Sequence, residues 1–319
     1  MKNSDPHELG WKSALAELDG RLSFEAPLAG VTWFQVGGRA EVLYRPTNLA
    51  ALQSALRLTP PQVPITVFGV ASNLLIRDGG IDGLVIRLGR EFATMETEDN
   101  QRLIKLGAAV LDGHVATFAC NNRIAGLEFL AGIPGSIGGA VKMNAGAYGS
   151  DMSAILHSVS GVTREGEYRE LAVENLGLRY RHSNLPEGFI VTEARVKARP
   201  GDGAEIAARI TEIKSARELT QPVRSRTGGS SFKNPPPESA PVDSLAKPMK
   251  AWQLIEGAGC RGLVKGGAQV SELHCNFLIN QGTATAADIE GLGEEVRRRV
   301  MDKYGYRLEW EIAIIGKDL

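Results

Sequence analysis

"GLEFLAGIPGSIGGAVKMNAGAYG", residues 126–149, carries seven glycines, two short apolar runs and one acidic residue. Glycine loses more conformational freedom on folding than any other residue, so this density marks positions with φ > 0 or a backbone pressed against something else. A ligand with a long phosphate chain is one candidate for that something. A run of tight turns between short strands is the other.

The rest of the chain bounds the choice. Its 319 residues leave room for two domains of ~100–200 residues each, hence for a sizeable core. Basic and acidic residues nearly cancel, 36 against 37. Nucleic acid or an anionic membrane as main partner is therefore not indicated, since both call for a basic excess. Cys120, Cys260 and Cys275 are an odd set without Cys-x-x-Cys spacing, so neither a disulfide framework nor a zinc ribbon is expected, and no metal site is read. The first twenty residues are charged and lack an apolar core, so no signal peptide is seen. The longest uncharged apolar run, Phe129 to Val141, is shorter than the ~20 residues of a spanning helix. These features predict a cytoplasmic protein without membrane insertion.

Periodicity and punctuation predict mixed α and β structure. "AEVLYRP" (Ala40–Pro46), "ITVFG", "LVIRL" and "LIKLG" read as strands, "NLAALQSALRL" as a helix capped by Asn48, and "DGHVATFACNNR" as a helix from Asp112. A hairpin turning near Arg164–Gly166 and a strand "FIVTEARVKA" follow the glycine cluster. "RPGDGAE" then breaks the chain, and a helix from Asp202 opens a new unit, so a domain boundary falls near Pro200 and Gly201. "NPPPESAPVDSLAKP" is a surface loop within that unit. A helix with a capping box at Thr285 and Asp288 ends at Gly305, and "RLEWEIAII" closes the chain as a strand. Without long regular crossover helices the fold class is α+β with small sheets, not a doubly wound sheet.

Two turns carry candidate chemistry. In "VFGVASNLLIRDGG", Gly69, Val70, Ala71, Ser72 and Asn73 follow a strand, where successive backbone N–H groups can form an anion nest. In the opening cluster, Gly135, Ser136, Gly138 and Gly139 follow Ile133 and Pro134. Neither turn fits the dinucleotide fingerprint or a Walker A loop, which leaves a pyrophosphate clamped between two glycine turns.

Seven segments in order, "TWFQVGGRAE", "FGVASNLLIRDGG", the cluster itself, "LRYRHS", "GGSSFKNP", "GGAQVSELHCNFLIN" and "LEWEIAIIG", resemble the UDP-N-acetylenolpyruvoylglucosamine reductase family from about Thr32 to Gly316. The resemblance implies the FAD-binding fold of the vanillyl-alcohol oxidase type in two subdomains, with a C-terminal α+β substrate domain. It divides the chain into an N-terminal helical segment 1–20, an FAD-binding domain 21–200 and a substrate-binding domain 201–319 containing a catalytic C-terminal strand. It implies noncovalent FAD, NADPH as hydride donor, and reduction of UDP-N-acetylglucosamine enolpyruvate to UDP-N-acetylmuramate for peptidoglycan synthesis, and so for cell shape and division. The glycines, with Asn144 and Gly146, then face the cofactor.

The family pattern places its proton-donating serine on Ser230, and its charge-stabilising arginine and carboxylate on Arg181 and Glu311. Taken singly, each has a plainer reading: a turn serine, a solvated arginine, a strand glutamate facing water. Together they suit hydride addition to an enolpyruvyl ether. A permanent cation and a carboxyl held protonated by burial stabilise the enolate, and a positioned hydroxyl delivers the proton. Lys233, Asn234, Arg224, Gln269 and His274 are weaker candidates for substrate contacts. The chain departs from the family at Ala71, where glycine is common, at Trp310, commonly proline, and at Ala313, commonly basic. Lacking a long insertion between Arg181 and Ser230, it resembles the shorter, second type of the family. Two rivals stay open: a flavin oxidase of the same fold, although His114 and His157 match no flavin-tethering motif, and a noncatalytic nucleotide-sugar binding module.

Overall fold

In the computed structural model, residues 6–99, 102–243, 245 and 247–319 are described. The chain divides into two compact units. The first comprises 1–26, 40–69 and 82–215, and the second 27–39, 70–81 and 216–319.

In the first unit, helix α1 (Pro6–Ala16) precedes strands β1 (Gly20–Pro27) and β2 (Arg39–Pro46) and helix α2 (Leu49–Leu58). Residues 1–5 of the expected helical segment lie outside the described residues. Asn48 caps α2, its side chain accepting the Ala51 N–H at 2.8 Å, as the sequence predicts. Strand β3 (Ile65–Val67) lies parallel to β5 (Ile81–Ile86), giving a four-stranded sheet of order β1-β2-β5-β3. Its core holds Val42, Tyr44, Leu52, Leu56, Leu84 and Ile86, with Trp11 and Leu15 of α1.

A second, five-stranded antiparallel sheet contains β6 (Met95–Glu98), β7 (Leu103–Gly107) and the strands Leu156–Val162, Tyr168–Ala172 and Ile190–Lys197. The expected hairpin is there, with Val162 opposite Tyr168. Helix α3 (Asp112–Asn121) buries Val115, Ala116 and Ala119 against this sheet's core, and the short helix α4 (Ile137–Met143) buries Ile137, Ala140 and Val141. The inner strand Leu156–Val162 is buried along nearly its whole length, whereas the edge strand Tyr168–Ala172 has no buried residue.

In the second unit, helices Ala251–Gly257 and Ala286–Tyr304 pack on a three-stranded antiparallel sheet of Val264–Lys265, Ala268–Val270 and Leu278–Asn280. Thr285 and Asp288 form the predicted capping box, and Gly305 ends the long helix at φ 65°. Strand β4 (Leu74–Ile76) pairs in parallel with Ala313–Ile315. The closing strand is thus shorter than the sequence pattern "RLEWEIAII" predicts. Residues 309–311 instead bond to 231–233, through Lys233 N–H to Glu309 O at 2.9 Å and Glu311 N–H to Ser231 O at 2.8 Å. Among the described residues no helix is long and apolar enough to cross a membrane.

Candidate active site

Ser230 stands on a segment held from both sides. It forms a bridge with Phe277, while its neighbours run beside 309–311. Asn276 fixes that segment with its side chain, donating to Phe232 O at 2.8 Å and accepting from Phe232 N–H at 3.0 Å. Ser231 is fully buried, and its hydroxyl accepts the Leu278 N–H at 3.3 Å. Ser230 itself is half-buried, as is Glu311. The Glu311 backbone is held twice, by the Ser231 carbonyl and by the Asn73 side-chain amide, which donates to Glu311 O at 3.0 Å. Ala313 N–H returns to Asn73 O at 3.0 Å. Ser230, Glu311 and Asn73 are therefore brought together, three residues from segments far apart in sequence.

Two further ties seat the 70–81 segment in this unit. Arg77 makes a bidentate pair with Glu290, at 2.9 and 2.7 Å. Asp78 accepts from Ala286 and Ala287 N–H, both at 2.9 Å, at the start of the long helix. Within the same turn Ala71 is buried at φ 52°, a left-handed conformation that favours glycine. Trp310, at the family's proline position, stacks on Phe232 with centroids 4.6 Å apart and donates to Glu294 at 2.9 Å. Any side chain at Gly293 would collide with its indole ring.

The remaining substrate candidates divide. His274 belongs to the serine's surroundings: its ring meets Phe277 edge-on with centroids 4.9 Å apart and accepts the Asn276 N–H at 3.2 Å. Burial pushes its pKa below the ordinary value, its own backbone bond opposing and Arg261 adding to the fall, so the ring is neutral at physiological pH. Lys233 pairs with Glu309 at 3.4 Å at the surface. Asn234 accepts the Ala251 N–H at 3.1 Å, capping the next helix. Gln269 hydrogen-bonds Gln281 on the small sheet, and Arg224 is exposed.

The first unit assembles the other set. Arg181 occupies the tight turn closed by Arg179 and His182, at φ 53°. Its guanidinium donates to Gly146 O at 3.3 Å and lies 5.1 Å from the Tyr180 ring centroid. Buried Asn144, the left-handed C-cap of α4, donates to Arg179 O at 3.1 Å and accepts Ser153 N–H at 2.9 Å. Asn144, Gly146 and Arg181 thus form one knot.

The glycine cluster resolves into crowding. A Cβ on Gly135 would stand 2.6 Å from the Asp112 carboxyl. A side chain on Gly69 would collide with the Ser136 hydroxyl, whereas nothing lies within 4 Å of the corresponding point on Gly139. Bare backbone at 69 therefore meets the start of α4, where Gly138 packs on Ala108 and open space is left beside Gly139. That is the shape a phosphate-bearing cofactor needs. Sequence reasoning did not single out Asn276 or Asp112 as site residues. A buried Asn within the apolar run "CNFLIN" is the available signal for Asn276, since such a group requires partners.

The fold is α+β, and its similarities to known proteins make the chain a flavin-dependent oxidoreductase with an FAD-binding domain. A sequence model described as "FAD binding domain" matches residues 40–172, and one described as "UDP-N-acetylenolpyruvoylglucosamine reductase, C-terminal domain" matches 221–315. The chain belongs to the UDP-N-acetylenolpyruvoylglucosamine reductase family, and its cofactor is FAD. It is 54% identical to the protein of that name from Acidiphilium cryptum over 306 residues, 96% of this chain and 95% of the relative. Identity to that from Paramagnetospirillum magneticum is 53% over 306 residues, again 96% and 95% of the two chains. The crystal structure of the Thermus caldophilus reductase superposes with a TM-score of 0.78 at 34% identity, covering 94% of this chain and all of that one.

Proposed function

We infer that the chain reduces UDP-N-acetylglucosamine enolpyruvate to UDP-N-acetylmuramate, taking hydride from NADPH. When bound, FAD supplies the relay of hydride between the two. The observation that carries the reading is the holding of Ser230 beside Glu311, whose N–H bonds the carbonyl of the next serine at 2.8 Å.

In this reading the protein's residues bind charge and move one proton. The enolpyruvyl carboxylate conjugates with the double bond, so adding hydride at the terminal carbon develops enolate charge. Arg181 and Glu311 are assigned to that charge. A left-handed arginine costs of order 1–3 kcal/mol and persists only where its surroundings fix it, as the Asn144 and Gly146 bonds do. Ser230 delivers the proton to the adjacent carbon, held in place by its bridge to Phe277. Gly69, Val70, Ala71, Ser72, Asn73, Gly135, Ser136, Gly138, Gly139, Asn144 and Gly146 are assigned to the cofactor. Lys233, Asn234, Arg224, Gln269 and neutral His274 are assigned to the UDP-sugar. Residues 21–200 serve the cofactor and 201–319 the substrate. The setting is cytoplasmic peptidoglycan precursor synthesis, which bears on cell shape and division.

Anaerobic flavin spectroscopy tests the reading. The yellow protein should bleach with NADPH and recover its colour on adding the enolpyruvyl substrate. Bleached protein that the substrate leaves colourless, and that only oxygen restores, would instead be an oxidase.

A further inference from the structure

Arg45, at the end of β2, and Arg87, just past β5, are neighbours in the first sheet: Arg87 N–H donates to Tyr44 O at 3.1 Å. Both side chains are half-buried. The Arg45 Nε is shut off from solvent and has no hydrogen-bond partner among the described residues. The Arg87 Nε donates to Gly69 O at 3.2 Å. Neither guanidinium has a carboxylate partner among the described residues. Burial, and then the charge of Arg45, push the pKa of Arg87 below its ordinary value.

Two permanent cations side by side repel each other, and a desolvated donor left unpaired adds to that cost. An anion between them reverses the sign of both terms. The planar guanidinium fork suits phosphate oxygens in particular. The position selects among phosphates: Arg87 grips the carbonyl of Gly69, the residue whose bare backbone meets Ser136. Arg45, Gly69, Arg87 and Ser136 all fall within residues 40–172, the segment matched as FAD-binding domain.

We propose that Arg45 and Arg87 form a cationic subsite for the diphosphate of FAD, beside the glycine turn at Gly69. The subsite rests on FAD being the cofactor and adds to it a charge contribution that the glycine turns lack. Empty, it is a destabilising pair of like charges, and filled, it is neutralised.

The test uses the full chain stripped of flavin, titrated with FAD and with riboflavin, which has the same ring and no phosphate. Arg45→Gln should weaken FAD by roughly 10–100-fold, the range for losing a hydrogen bond to a charged group. It should leave riboflavin affinity within about twofold. Arg45→Lys should recover most of the loss, and Arg87→Gln should repeat the pattern. The flavin-free Arg45→Gln protein should melt no lower than the flavin-free parent, because a repulsion has been relieved, while its gain in melting temperature on adding FAD shrinks. A mere packing role would lower the flavin-free melting temperature and weaken both ligands alike, and that result overturns the proposal. So does unchanged FAD affinity with a raised KM for NADPH, which would give the arginines to the nicotinamide cofactor's phosphates. A parent chain that binds no FAD would sink the cofactor reading itself, an outcome distinct from either.

Discussion

The side chain of Asn276 bonds both backbone groups of Phe232, donating to its carbonyl at 2.8 Å and accepting from its N–H at 3.0 Å. The amide acts here as one residue of a strand, and it does so while buried. Phe232 lies two positions after Ser230, so the tie sets where the proposed proton donor stands.

Asn276→Ala should therefore leave two buried backbone groups unpaired at about 1–3 kcal/mol each, lowering stability by roughly 2–6 kcal/mol. Urea unfolding reads the loss. Surviving protein should turn over more slowly, with flavin content reduced less than turnover, because neither Asn276 nor Phe232 is among the residues assigned to the cofactor. An unmoved unfolding midpoint would show that water replaces the amide, and that Asn276 does not position the serine.

Ala71 is a different kind of exception. At φ 52° its methyl is strained by about 1–2 kcal/mol relative to glycine. Glycine loses about 0.5–1 kcal/mol of that advantage through its freer unfolded chain, and more through the buried space the methyl vacates. Ala71→Gly should accordingly stabilise by up to about 1 kcal/mol, seen as a higher melting temperature, with FAD bound as tightly or more so. A loss of about 1 kcal/mol or greater would mean that packing of the methyl outweighs the strain.

Asp112 makes the protein's stability depend on pH. Its carboxyl is fully buried, neither oxygen has a hydrogen-bond partner among the described residues, and burial holds its pKa well above the usual carboxylate range, the nearby Gly135 N–H opposing. The folded pKa thus exceeds the unfolded one of about 3.9. Its contribution is complete below the unfolded pKa and is lost as pH rises toward and through the folded pKa, by at most about 1.4 kcal/mol per pH unit. Asp112→Asn removes that loss. Urea midpoints should show the variant gaining on the parent as pH rises from about 4 toward the raised folded pKa. A difference that stays flat with pH would mean that Asp112 finds a donor and is ionised.

What the sequence makes legible here is mostly local. Asn48, the Thr285–Asp288 box and Gly305 declare their helix ends because capping involves residues three or four apart. Alternation in "RLEWEIAII" predicts a strand longer than the one formed, because it cannot tell which partner takes each residue, and 309–311 go to 231–233. Strand β4 is hidden within an apparent turn, since its partner Ala313–Ile315 stands far along the sequence. The glycine cluster announced close approach, but not to what. At Gly126, Gly135 and Gly138 the crowding atoms belong to Arg199, Asp112 and Ala108, which only tertiary structure brings near. Ser230 and Glu311 were legible through a family pattern, and their adjacency depends on Asn276 and Asn73, which no local rule selects.

Ser230→Ala should separate the two half-reactions. Its backbone bridge to Phe277 survives the change, and the neighbouring Ser231 keeps its buried bond to Leu278, so folding and flavin content should match the parent. Reduction of the flavin by NADPH needs no proton from this residue, and bleaching should run at a near-normal rate. Recolouring by the enolpyruvyl substrate requires a proton at the carbon next to the one that takes hydride. Without a positioned hydroxyl that step should slow by ~10²–10⁴-fold, less only where a water substitutes. Substrate affinity should change little, because the hydroxyl acts mainly in the transition state. Stopped-flow absorbance separates these outcomes: equal slowing of both phases would point to a structural defect, and a normal second phase would return Ser230 to the role of an ordinary turn serine.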